Sequence, residues 1–153
     1  MALDQAFTLD QIFSGAGMLA LCGWIALALS PLRPALAQLI AARFVPIMLG
    51  LAYAALLFRF WGEAAGGFGS LGDVGALFSH RGLLLAGWLH YLAFDLLVGA
   101  WEVREARRFG LPHLAVLPCL ALTFLFGPIG FLTFLALRSV WLRGLSRRQG
   151  EPA

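Results

Sequence analysis

The sequence predicts an all-α polytopic membrane protein: a single domain over residues 1–153, with about four transmembrane helices and a short interfacial amphipathic helix. Three observations predict it. Of 153 residues, 61% are hydrophobic and 12% charged, with a mean hydropathy of +0.85. A water-exposed domain carries about 25% charge, so this chain could not cover its own surface in water. Apolar runs of spanning length recur along the chain, divided by short polar or Gly/Pro segments. All 11 basic residues are arginine, and they stand at the ends of those runs and in the connections. That is the pattern of flanks facing lipid headgroups; it speaks against a nucleic-acid partner.

The first span is expected at about 12–29. No basic segment precedes it, so it reads as a retained span rather than a cleaved signal. Ser30-Pro31-Leu32-Arg33-Pro34 ends it, since proline cannot continue a helix. A short connection over 35–43 leads to a second span at about 44–61, with Pro46 in its first turn and Arg59 and Trp61 at its far interface. The stretch GEAAGGFGSLGDVGALFSHRG differs. Its glycines make a loop, and Ser70 with Asp73 resembles a capping box. Leu71, Val74, Leu77 and Phe78 follow at helical spacing, so 71–79 is expected to lie on the membrane surface.

The third span is expected at about 83–101, followed by a polar loop, EVREARRFGLPH. The fourth is expected at about 113–137, with a kink or a broken turn at Pro128, and 138–153 forms a basic amphipathic tail. Four crossings put both ends of the chain on one side and split the arginines almost evenly, which leaves orientation open. Cys22 and Cys119 lie in apolar runs with no CxxC spacing and read as free buried thiols.

The residues that carry chemistry lie in GWLHYLAFDLLVGAWE, 87–102. His90 and Asp95 stand inside an apolar span, where ionisable groups are costly and mark function by default. They are five residues apart, about 7.5 Å along the axis and about 140° around it. Trp88, Tyr91, Asp95, Gly99 and Glu102 form one stripe; His90, Phe94, Leu97 and Trp101 form another. A shared site would therefore be completed by other helices. His113, at the start of the fourth span, and Arg59 are the expected partners. The bland alternatives are helix-packing roles for Asp95 and His90 and a capping role for His113, with Glu102, Glu105 and their arginines on a solvated loop face. The i,i+5 His/Asp spacing does not suit a helical metal pair, so no metal is expected.

W-x-H-x-L-A-x-D at 88–95, Pro112-His113, Pro118, Leu122-Thr123 and G-P-x-G at 127–130 together resemble the abscisic-acid-deficient-four family. The resemblance covers about residues 70–138, and the first two spans match it only as apolar hairpin material. Members often carry a basic residue straight after the DLFVG-like run; here that place is Ala100, with Arg104 one turn later. The resemblance implies a helical fold of about four spans. Its plant members are required to make neoxanthin from violaxanthin, which opens an epoxide and removes a proton to leave an allene. That chemistry needs an acid and a base and no redox cofactor. By resemblance, His90, Asp95 and His113 would exchange protons, and Trp88, Tyr91, Phe94, Thr123, Gly127 and Pro128 would line the ligand site. The expected partner is a membrane lipid or carotenoid-like isoprenoid, with a homo-oligomer allowed, and the expected location is the bacterial inner membrane. Two alternatives stand beside this: a small proton-coupled transporter, and a non-catalytic assembly protein in which Asp95 joins helices.

Overall fold

The computed structural model describes residues 2–149, with side chains for 8–145. Met1 and residues 150–153 of the expected tail lie outside the described residues, as do the side chains of 146–149. The described chain is helical, without strands: α1 (Ala2–Ala28), α2 (Pro34–Leu39), α3 (Val45–Phe60), α4 (Leu71–Phe78), α5 (Arg81–Arg108), α6 (His113–Phe126) and α7 (Pro128–Gln149). Three helical stretches are long and apolar enough to cross a membrane: Thr8–Ala28, Pro34–Glu63 and Arg81–Arg108.

The elements depart from the sequence expectation in three places. The segment 35–43 is helix, joined to α3 by a π turn at Ile40–Phe44. Pro46 explains that turn: proline offers no N–H to the Ala42 carbonyl and its ring crowds it, and a widened turn just ahead relieves the clash. The expected loop after Trp101 is also helix as far as Arg108. Glu, Arg and Ala are strong helix formers, and the first breaker is Gly110, at φ +66°. Thirdly, the span expected over 113–137 with a kink or a broken turn at Pro128 is two separate helices, parted by Gly127 at φ +42°. The interfacial helix forms as expected: the Ser70 hydroxyl accepts the Asp73 N–H at 3.1 Å and starts α4.

By its contacts the chain has two compact units. Unit 1 takes the chain up to Cys22 with Arg43–Phe94, and unit 2 takes Gly23–Ala42 with the chain from Asp95 on. In unit 1, α1 runs in the same direction as α5. Arg81 bonds Asp10 at 2.8 Å, and the Phe13 and Trp88 rings lie 5.7 Å apart. The helix α3 runs against α5, with the Phe60 ring on Gly82; a Cβ there would come within 2.3 Å of the ring. Leu49, Leu56, Phe60, Leu83 and Leu89 are buried in this unit.

In unit 2 the Trp24 ring lies on Gly99. The Gln38 side chain donates to the Ala100 carbonyl at 3.0 Å and accepts from Arg104 at 2.8 Å. From its loop, α6 runs back along α5, so that Thr123 reaches Glu102 and Gly127 reaches Asp95. The chain then reverses. Along α7, Phe131 and Phe134 meet Trp101 at 5.6 and 5.4 Å, Arg138 bonds Glu105 at 3.0 Å, and the Trp141 indole donates to the Phe109 carbonyl at 3.0 Å. Thus α6 and α7 form a helical hairpin. Its tip lies at Asp95; α6 begins just after Phe109 and α7 passes Phe109 at Trp141. Two glycines make the reversal: Gly127 supplies the positive φ, and Gly130 lies on the backbone of Thr123, 2.0 Å from its N if a Cβ were added. With 14 residues, α6 is about 21 Å long, short of the roughly 30 Å hydrocarbon core.

Candidate functional site

Two facing stripes of unit 1 enclose a cavity of about 500 Å³. From α3 and its extension come Tyr53, Leu57 and Trp61, each one turn after the last. From α5 come Leu83, Ala86, Gly87 and His90, the i, i+3, i+4, i+7 spacing of one helix face. Phe68 of the glycine loop and Leu77 and Phe78 of α4 close the end. Gly87 has a steric reason: a Cβ there would come within 2.6 Å of Phe78 Cε1, so α4 reaches α5 only over a glycine. The volume falls within the roughly 300–1,000 Å³ typical of small-ligand sites.

The wall is apolar and aromatic. Of its lining residues only Tyr53, Trp61 and His90 carry a side-chain nitrogen or oxygen. The His90 ring lies 5.6 Å from the Tyr53 ring, centre to centre. Phe94 also stacks on His90 at 4.4 Å, with 19° between the planes. His90 is exposed and Tyr53 half-buried, so both polar rings are reachable from the cavity. Arg59 pairs with Glu63 beside Trp61. The His80 ring packs 5.1 Å from Phe60, with Nε2 3.8 Å from Glu63.

The other expected site residues are dispersed. Trp88 stacks on Tyr91 at 5.3 Å and lines a separate, smaller cavity with Asp10 and Arg81. The Asp95 carboxyl lies against Gly127, where an added Cβ would come within 2.7 Å of Oδ1. Asp95 therefore stands at the start of α7, where the helix dipole favours negative charge. Thr123, Gly127 and Pro128 build the hairpin tip. His113 Nε2 donates to the Ala28 carbonyl at 2.9 Å, satisfying an acceptor that the end of α1 leaves open. So His90 belongs to unit 1, while Asp95 and His113 belong to unit 2, at opposite ends of α6.

Two residues escaped the sequence reasoning. Tyr53 carries no sequence signal, being one aromatic in a generic apolar span. Glu102, expected on a solvated face, is fully buried. Its Oε1 accepts from the Thr123 hydroxyl at 2.8 Å, and among the described residues Oε2 has no hydrogen-bond partner. The stripe Asp95, Gly99, Glu102 held the signal, since Asp95 and Gly99 also face inward in this unit. No group of three His, Cys, Asp or Glu placed to hold a metal occurs among the described residues.

A family model described as ABA DEFICIENT 4-like matches residues 11–134. No curated protein and no solved structure matches the chain.

Proposed function

We propose a function from one premise: this chain belongs to the ABA DEFICIENT 4-like family. It is a membrane protein that holds a carotenoid-like or other isoprenoid ligand in the unit 1 cavity and moves protons at that ligand's polar end. One observation carries the proposal: an aromatic, apolar cavity has its polar rings, His90 and Tyr53, side by side in the wall. Long apolar ligands bury their chains against such walls, and a few polar groups fix their orientation. Opening an epoxide to an allene removes a proton from carbon and adds one to oxygen. The formula is unchanged and no oxidant is needed. His90 is the proton acceptor at carbon, and the Tyr53 hydroxyl is the donor at oxygen. Stacked on Phe94, the imidazole is held in one orientation. Asp95 and His113 position helices in this scheme: one meets the start of α7, the other closes the end of α1.

The test compares pigment and isoprenoid extracts of cells carrying the wild-type gene, the gene with His90→Ala, the gene with Tyr53→Phe, and no gene. The wild-type gene is expected to change one isoprenoid species. Each substitution is expected to reduce that change at least tenfold at equal membrane abundance, since general acid or base groups contribute about 10²–10⁴-fold. Identical extracts from all four strains would defeat the enzymatic form of the proposal.

A specific observation favours a second, structural role for unit 2. Its buried acid Glu102 is bonded across helices, and Asp95 meets the hairpin tip, as in a protein whose polar groups join helices.

A further inference from the structure

We infer that the chain crosses the membrane three times and that its arginine-rich face is cytoplasmic. The fold of α6 and α7 carries this. A fourth crossing would place the chain beyond α7 on the same side as the start of α1. The hairpin does not cross: α6 is too short, its tip lies at Asp95 near the middle of α5, and α7 returns to Phe109, where α6 began. Crossing is left to Thr8–Ala28, Pro34–Glu63 and Arg81–Arg108, each of which puts its own two ends on opposite faces.

The arginines then sort themselves. Arg59 and Arg81 fall at the ends of the two helices joined by the α4 segment. The rest fall near the opposite ends: around the connection between α1 and α2, around the loop after α5, and on the outer part of α7. The near-even split of a four-span arrangement becomes a strong bias, and arginine-rich short loops stay on the cytoplasmic side. Trp61, Phe68 and Phe78 of the cavity wall belong to the arginine-poor end. This topology rests on helices and arginines alone.

Labelling of single cysteines in the full-length protein tests it, in a background with Cys22→Ala and Cys119→Ala. Gly67→Cys and Gly144→Cys occupy open positions, and Arg108→Cys replaces an exposed residue. In intact bacterial cells a membrane-impermeant maleimide is expected to label Gly67→Cys. The other two are expected to react only after permeabilisation, at least tenfold more than before it. Equal behaviour of Gly67→Cys and Gly144→Cys would restore an even number of crossings and overturn the inference. A full reversal would overturn the orientation. If a cysteine variant fails to accumulate, a C-terminal fluorescent-protein fusion of the unmodified chain is expected to fluoresce; a dark fusion whose alkaline-phosphatase counterpart is active would overturn the inference equally. No outcome here bears on whether the cavity holds an isoprenoid.

Discussion

Gly130→Ala is expected to cost the fold more than any other single methyl group. The added Cβ would stand 2.0 Å from the Thr123 N, 2.2 Å from its Oγ1 and 2.4 Å from its Cα. Two of these atoms are helix backbone and cannot swing aside. The legs of the hairpin must part, and parting them pulls Thr123 from Glu102. Overpacking alone costs about 1–3 kcal/mol, and a buried polar group left unpaired adds about 1–3 kcal/mol. Against a total stability of about 5–15 kcal/mol, that is a large fraction. Thermal denaturation in detergent, followed by size-exclusion, should show a strongly lowered Tm for Gly130→Ala. The control is Gly144→Ala, where an added Cβ meets nothing within 4 Å; its Tm should match wild type. Equal Tm values for both variants would mean that the hairpin is not packed as described.

Glu102→Ala is expected to have the second largest effect. The side chain is fully buried and accepts the Thr123 hydroxyl. Truncation leaves that hydroxyl unpaired, at about 1–3 kcal/mol, and removes buried methylenes worth about 0.8 kcal/mol each. Glu102→Gln keeps an oxygen to accept the same hydrogen bond and nearly the same volume, so it should be much milder. Thr123→Val should fall between the two. A Glu102→Gln Tm as low as that of Glu102→Ala would show that the carboxyl itself, not the cross-helix bond, is what unit 2 needs.

Much of this fold can be read from the sequence, and the exceptions have physical causes. The cap at Ser70 and Asp73 is local, so S-x-x-D announces α4 without help from the rest of the chain. Gly127-Pro128-Ile129-Gly130 announces a break but not its angle. A proline alone kinks a helix. Reversal needs Gly127 at positive φ and a bare Gly130 to admit the backbone of Thr123, and the second is a contact between helices. The uninterrupted hydropathy of 113–137 conceals it further. Glu102 sits in a run of charges that looks like a loop, yet the run is made of strong helix formers. Continuing the Asp95–Gly99 stripe by three residues points it inward. His113 and Tyr53 meet partners 85 and 37 positions away, Ala28 and His90, and no local pattern encodes those meetings.

His90 shows both sides of this. Its place in the middle of an apolar span is plain in the sequence, and so is Phe94 one turn later. What surrounds the imidazole is not. The expectation joined it to Asp95 and His113; the fold gives it Tyr53 and an aromatic cavity, and gives the other two to the hairpin tip and the end of α1. The shift in partners moves the proposed chemistry from three titratable groups to two rings in one wall.

Photo-crosslinking tests the central claim, that this cavity holds an isoprenoid. The purified protein would be irradiated with a diazirine-bearing C40 carotenoid analogue, and the labelled residues read by peptide mass spectrometry. Label concentrated on Tyr53, Leu57, Trp61, Phe68 and Phe78, and displaced by excess unlabelled carotenoid, is the expected result. Label spread over outward side chains such as Phe58, which is 95% exposed, with the cavity wall unmarked and no displacement, would contradict it.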